Sequence, residues 1–265
     1  MSKYLLAALV IGFPLAVSAE PALDDCRDHF LGAEMPNVSK AKQQKTKLLC
    51  FTEYAVLHSG VSKTPVYSAE FLTSDRVDAA SGVKRKNNFH AESKLPEEER
   101  AELDDYKDSG FDRGHMAPSG DMPTAKAQRE SFSLANMVPQ NACLNEELWE
   151  GIESAVRQLA TDEEEVYVVT GPIYPKDPNA QIKAIGEGSV LVPTEVFKAI
   201  YVPSVNQAGA YVAKNEDTKE FRSVSLEQLQ DLAGIEVFPK LKQKVKATAM
   251  SLPAPHPPKF KCRLH

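Results

Sequence analysis

Two adjacent segments, 145–160 and 165–174, constrain the fold more than any other part of the sequence. The first carries apolar residues at the spacing of an amphipathic helix, namely Leu148, Ile152, Val156 and Leu159. The second, from Glu165 to Tyr174, is rich in valine and predicts a strand buried inside a sheet. Together they predict a mixed α+β domain around an antiparallel or mixed central sheet flanked by helices.

The remaining elements are predicted from local signals. Further strands are expected at Leu48–His58, Val66–Leu72, Gly188–Val202 and Ala210–Lys214. A short helix is expected at 124–131, and a second helix should open with a capping box at Ser225 and end at Gly234. Several glycines and a proline indicate a loop over residues 109–122.

The first 19 residues are typical of a secretory signal peptide. Lys3 precedes an apolar run from Leu5 to Val17, and small residues at Ser18 and Ala19 suit a cleavage site. The alternative is a membrane anchor, but the run is shorter than the ~20 residues that span a bilayer. We therefore expect a periplasmic or extracellular protein with no membrane partner, whose mature domain covers residues 20–265.

Export changes the interpretation of the four cysteines, because disulfides persist in oxidising compartments. Cys26, Cys50, Cys143 and Cys262 form an even set without CxxC spacing, and three pairings are possible. The favoured pairing joins Cys26 to Cys50 across a short loop and Cys143 to Cys262. The second bond would hold the proline-rich C-terminal tail, residues 252–265, which has no periodicity of its own.

Composition and charge exclude several classes of protein. The chain is 42% hydrophobic and 26% charged, which is ordinary for a globular domain and excludes disorder and multiple membrane spans. Its 31 basic and 37 acidic residues give a net charge of −6. A protein that binds nucleic acid through its overall charge would be basic. Any polyanion must therefore meet a local basic patch.

The tetrapeptide Asp112-Arg113-Gly114-His115 combines residues suited to phosphate chemistry. A glycine lets the backbone approach a ligand closely, an arginine can clamp phosphate, and a histidine exchanges protons near neutral pH. The alternative is a surface loop that happens to contain a histidine.

A second candidate group lies on the predicted helix, where Asn145, Trp149, Glu153 and Arg157 are spaced four residues apart. Each step of four advances ~40° beyond a full turn, so the four form one slanted stripe. Amide and carboxylate oxygens beside a guanidinium can hold a hydrated cation and a phosphate. The alternatives are an N-cap at Asn145, core packing for Trp149, and a simple ion pair between Glu153 and Arg157.

Several motifs occurring in one order make the sequence resemble the DNA/RNA non-specific endonucleases, the ββα-metal nucleases with a DRGH signature. The similarity runs from about Lys84 to Phe197, and fewer matching residues lie outside it. Its segments are 109–118, Asp121-Met122, 136–140, the helical set at 145, 149, 153 and 157, Val169–Pro172, and Arg85 followed by Phe89.

The resemblance implies a single ββα-metal nuclease domain that hydrolyses phosphodiester bonds of DNA and RNA. His115 would be the general base, and Asn145 the protein ligand of Mg²⁺, for which Mn²⁺ can substitute. Glu153 would hold water in the hydration shell of the ion, and Arg113 and Arg157 would stabilise the charged phosphate.

The resemblance also implies supporting roles. Asn136 and Gln140 would shape the site, and Asp112 would orient its own loop or a water molecule. A basic groove would be formed by Lys84, Arg85, Lys86, Arg113, Arg129 and Arg157. The alternatives are a nuclease restricted to one nucleic acid, a phosphodiesterase of smaller esters, and an exported binding protein that retains the fold without catalysis.

Overall fold

The computed structural model describes residues 23–177, 179–256 and 262. The predicted signal peptide, residues 1–19, lies outside the described residues. Within the described ranges, no helix is both long enough and apolar enough to cross a membrane.

Strands and helices follow one another along the chain. The strands are β1 Asn37–Val38, β2 Thr46–Cys50, β3 Ala55–Ser59, β4 Thr64–Thr73, β5 Asp112–His115, β6 Met137–Gln140, β7 Glu165–Ile173, β8 Ala184–Ile185, β9 Val190–Leu191, β10 Glu195–Val202, β11 Gln207–Lys214, β12 Arg222–Val224 and β13 Ile235–Glu236. The α-helices are α1 Ser74–Ser81, α2 Leu103–Tyr106, α3 Ala125–Ser131, α4 Glu150–Asp162, α5 Leu226–Ala233 and α6 Gln243–Ala247. A π-helical turn at Leu144–Trp149 runs directly into α4, and short 3-10 turns include Leu23–His29 and Ser119–Asp121.

Seven strands form the central sheet in the order β12-β11-β10-β7-β4-β3-β2, with every neighbouring pair antiparallel. The α+β class with an antiparallel sheet is therefore confirmed, and the strand predicted at 165–174 is central. Two predicted strands are wrong in extent. The segment 48–58 turns back at 51–54 into β2 and β3, and the segment 188–202 contains β9 and β10 separated by residues 192–194.

The central sheet has a helical layer on each face, because alternate residues of its strands point in opposite directions. Val166 and Val168 of β7 pack with Ile152 and Val156 of α4. Val169 belongs to the cluster on the opposite face, which includes Leu229 of α5. The capping box at Ser225 and the left-handed stop at Gly234, with φ of 68°, are confirmed for α5.

Both favoured disulfides are confirmed. Cys26 and Cys50 have Cα atoms 5.4 Å apart, and those of Cys143 and Cys262 are 4.9 Å apart. The first bond joins the N-terminal 3-10 turn to β2. The second fastens the C-terminal tail to the start of the π-helical turn.

Candidate active site

The candidate site is a cleft of about 650 Å³ between the antiparallel pair β5–β6, the helix that continues into α4, and the segment around residues 83–89. It is lined by Val83, Arg85, Phe89, Asp112, Arg113, His115, Pro118, Ser119, Gly120, Gln128, Asn145, Glu146, Glu150, Glu153 and Arg157. All six residues expected to contact metal or substrate, namely Arg85, Arg113, His115, Asn145, Glu153 and Arg157, therefore line one cavity together with Asp112.

His115 lies in the segment 109–122, which was expected to be a loop, and for residues 112–115 this expectation is wrong. Residues 112–115 form β5 and pair with β6, so that Asp112 faces Gln140 and His115 faces Met137. A Cβ atom on Gly114 would lie 2.0 Å from Oε1 of Gln140. Glycine is required here because the glutamine side chain packs against the backbone of the neighbouring strand.

The His115 ring packs against the aromatic rings of Phe132 and Phe89. Its ring meets Phe132 edge to face at a centroid distance of 4.8 Å, and Phe89 lies 5.7 Å away. Its Nε2 atom is buried without a hydrogen-bond partner in the described residues. Burial, and to a lesser degree the charge of Arg85, lowers the pKa of the imidazole to about 3. The ring is therefore neutral at neutral pH, as a proton acceptor must be.

Asn145 lies inside the helix, and the interpretation of this residue as the N-cap is wrong. Asn141 takes that position, since its Oδ1 accepts hydrogen bonds from the backbone N–H groups of Cys143 and Leu144. The Nδ2 atom of Asn145 donates to Oδ2 of Asp112 over 2.9 Å. This bond orients the amide, so that its carbonyl oxygen is left as an acceptor in the cleft.

Glu153 and Arg157 line the cleft one turn apart, but their side chains do not form an ion pair with each other. Arg157 instead donates through Nη1 to Oδ1 of Asp121 over 2.9 Å, and its Nη2 lies 3.7 Å from Glu150. The described residues provide no hydrogen-bond or ion-pair partner for Glu153, and burial raises the pKa of its carboxyl to about 7. Trp149 is only 1% exposed, which confirms core packing for this residue.

Asn136 and Gln140 are fully buried and lie outside the cleft lining. The Asn136 amide donates to the carbonyl oxygens of Ala117 and Ser131 and accepts from the Ala117 N–H and from the Ser68 hydroxyl. It thus fastens the turn that follows His115 to the sheet. This placement agrees with a shaping role rather than with contact to substrate.

Basic side chains are concentrated on one side of the cleft. The Arg85 guanidinium donates to the Ser119 hydroxyl over 2.9 Å, and that of Arg113 lies 4.2 Å from the centroid of the Phe89 ring. Lys84 and Lys86 line an adjoining groove of about 370 Å³. Arg129, also expected in the groove, is exposed on α3 and lines neither cavity.

Some residues of the site were not found from the sequence. Glu146 and Glu150 also line the cleft, although the sequence alone suggests solvated residues on a helix surface. Asp121, the partner of Arg157, is identified in the sequence only as part of a motif. The two residues are 36 positions apart, and no local pattern connects them.

Comparisons with known proteins agree with this geometry. Residues 31–244 match the DNA/RNA non-specific endonuclease family, well beyond the stretch that carries the recognisable motifs. Nuclease C1 of Cunninghamella echinulata var. echinulata is 33% identical over 205 residues, which are 71% of this chain and 81% of that protein. Mitochondrial endonuclease G of Caenorhabditis elegans is 33% identical over 216 residues, covering 75% of this chain and 70% of the relative.

Two further similarities point the same way. The mitochondrial nuclease EXOG of Homo sapiens is 32% identical over 215 residues, covering 74% of this chain and 58% of its own length. One chain in the crystal structure of an EndoG/EndoGI complex superposes with a TM-score of 0.65 at 28% identity, covering 75% of this chain and 88% of that one. The chain therefore belongs to the DNA/RNA non-specific endonuclease family and is a metal-dependent endonuclease.

Proposed function

We propose that this protein is an exported, Mg²⁺-dependent endonuclease that cuts both DNA and RNA, whether the sugar is deoxyribose or ribose. The observation that carries the proposal is the cleft itself. It brings His115 from β5 together with Asn145, Glu153 and Arg157 from the helix and with Arg85 from a third segment. These are the groups that phosphodiester hydrolysis requires.

His115 is the general base of the proposed reaction. Its neutral ring takes a proton from a water molecule as the water oxygen attacks phosphorus. A new P–O bond forms and the bond between phosphorus and the 3′ oxygen breaks. The leaving oxygen takes a proton from solvent water, and His115 then releases its own proton to solvent. Because Nε2 is buried, the other ring nitrogen, Nδ1, is the one that would accept the proton. A positioned base of this kind contributes roughly 10²–10⁴-fold to the rate.

The residues around Asn145 fit a hydrated magnesium ion. The Asp112 hydrogen bond leaves the Asn145 carbonyl oxygen free, and Glu153 offers a carboxyl group that has no hydrogen-bond partner among the described residues. Mg²⁺ retains several waters and binds through few protein oxygens. The described residues contain no group of three or more His, Cys, Asp and Glu arranged for a metal, and the proposed site requires none. When bound, the ion neutralises charge on the phosphate and on the leaving oxygen.

The arginines of the cleft account for the proposed breadth of substrate. The cleft contains the guanidinium groups of Arg85, Arg113 and Arg157, and such groups can form bidentate hydrogen bonds to phosphate oxygens. Contacts to phosphate fix the position of a nucleic acid but do not read its bases. A site built on such contacts accepts both deoxyribose and ribose backbones.

Export is proposed on two features of this chain. The N-terminal segment has the pattern of a signal peptide, and all four cysteines are paired in disulfides. Such bonds persist in the periplasm or outside the cell and are rare in reducing compartments.

The proposal is tested with the purified mature chain, residues 20–265, on plasmid DNA, on RNA and on a dinucleotide. We expect both polymers to be cut in the presence of Mg²⁺, activity to stop with a chelator, and Mn²⁺ to restore it. The His115→Ala variant, purified in parallel, controls for contaminating nucleases.

The alternatives give different results in the same assay. Cleavage of one polymer alone would indicate a restricted nuclease, and preference for the dinucleotide would indicate a phosphodiesterase. Binding of nucleic acid without cleavage, equal in the parent and the His115→Ala variant, would indicate a non-catalytic binding protein.

A further inference from the structure

The Arg157 side chain lines the cleft, and one edge of its guanidinium is held by the side chain of Asp121. Its Nη1 donates to Oδ1 of Asp121 over 2.9 Å, and the Asp121 side chain is 3% exposed. Asp121 is not part of the cleft lining. A Cβ atom on the neighbouring Gly120 would lie 3.2 Å from the same Nη1, so the backbone of this turn lies close against the guanidinium.

Asp121 is in turn held by a buried arginine. The Arg76 side chain, 8% exposed, donates through Nε to the backbone oxygen of Asp121 over 2.8 Å. Its Nη1 donates to the carbonyl oxygens of Glu53 and Phe71, both over 2.8 Å. Its Nη2 donates over 3.3 Å to the carboxylate of Glu70, which is also buried. The turn carrying Asp121 is therefore tied to β4 and to the start of α1.

We infer that Asp121 is a positioning residue, which fixes the direction in which the Arg157 guanidinium points into the cleft. The inference rests on the proposed role of Arg157 in stabilising charge on the phosphate. An arginine side chain has several rotatable bonds, and a charge-assisted hydrogen bond to a rigid carboxylate restricts them before substrate arrives. The remaining N–H groups are left to face the phosphate. Glu150, 3.7 Å from Nη2 and much more exposed, is the weaker partner.

The test is the Asp121→Asn substitution, which retains the size of the side chain and an acceptor oxygen but removes the charge. We expect kcat to fall roughly tenfold, since hydrogen bonds to charged groups are about twice as strong as neutral ones. Thr124→Ala is the matched control. It removes the N-cap hydrogen bond to Ala127 at the start of α3, close to the same turn, without touching Arg157.

A double-mutant cycle separates positioning from general loss of stability. In the Arg157→Ala background, Asp121→Asn should change kcat by less than about twofold, because the group that Asp121 positions is absent. Thr124→Ala should lower the melting temperature but leave kcat unchanged well below it. An equal loss of kcat from Asp121→Asn with and without Arg157 would overturn the inference.

The outcomes distinguish this inference from the proposed function. If Arg157→Ala cost no activity, the proposed role of Arg157 would fail. If Arg157→Ala were costly but Asp121→Asn were not, only the positioning role would fail. A readout without turnover is the NMR signal of the Arg157 Nη protons, whose restricted rotation should be lost in Asp121→Asn. Unchanged restricted rotation in that variant would also contradict the inference.

Discussion

The Cys143–Cys262 disulfide should stabilise the fold and also set the affinity for Mg²⁺. The bond closes a loop with a sequence separation of 119 residues. The chain-entropy relation gives about 5 kcal/mol for a loop of this length. At roughly 2–4 °C per kcal/mol for a domain of this size, its removal should lower the melting temperature by about 10–20 °C.

The expected effect on metal binding comes from where the tail lies. The N–H of Cys262 donates to Oε1 of Glu147 over 2.6 Å, and the N–H of His256 donates to the carbonyl oxygen of Gly151 over 3.2 Å. The tail is thus fastened along the turns that contain Asn145. Without the disulfide these turns lose their support, and the carbonyl oxygen of Asn145 is held less firmly.

The assay compares a Cys143→Ala/Cys262→Ala variant with a Cys26→Ala/Cys50→Ala variant. The Cys26–Cys50 disulfide closes a loop with a separation of only 24 residues, and the same relation gives it about 3.5 kcal/mol of stabilisation. Cys26 packs in the cluster on the face of the sheet opposite to α4. Both variants should melt earlier. Only the first should require a higher Mg²⁺ concentration for half-maximal activity at 25 °C. Equal magnesium titrations for the two variants would refute the proposed support of the site.

Three further outcomes are expected from single substitutions in the cleft. His115→Ala should lower kcat by roughly 10²–10⁴-fold with the fold intact, and near-parental turnover would rule out His115 as the base. Asn145→Ala should shift the magnesium titration to higher concentration, and Glu153→Ala less so, because it acts through water; activity measured against Mg²⁺ concentration would separate them. Arg85→Glu should weaken DNA and RNA binding alike and flatten the dependence of affinity on salt, whereas loss for one base sequence alone would indicate base readout.

The sequence predicted those parts of the site that depend on local spacing. Asn145, Glu153 and Arg157 recur along one helix, and all three line the cleft. The helix at 124–131 was predicted in the same way, and Thr124 caps it through the N–H of Ala127. Helical periodicity and capping motifs each involve residues that are only a few positions apart, so both can be recognised from a single sequence.

The features that the sequence did not predict depend on partners far along the chain. Residues 112–115 pair with 137–140, and Gly114 is explained by Gln140 rather than by a loop. The hairpin turn inside 48–58 was missed because Phe51 and Tyr54, which flank it, are themselves strand formers. Asn141 and Asn145 are both suitable N-caps by residue type, and only the hydrogen bonds from Cys143 and Leu144 identify Asn141 as the cap.

The π-helical turn explains how one helix can supply both the site and the core. In a regular α-helix, residues four apart drift by ~40°, so Asn145 and Arg157 would be separated by about 120° around the axis. A π turn pairs residue i with i+5 and takes in more residues per turn, which offsets this drift where it occurs. The turn spans Leu144–Trp149, at the start of the stripe. Asn145 can therefore line the cleft with Glu153 and Arg157, while Trp149 between them packs into the core, 5.8 Å from the buried ammonium of Lys198. The irregular turn and the regular spacing together place Asn145, Glu153 and Arg157 in the cleft and Trp149 in the core.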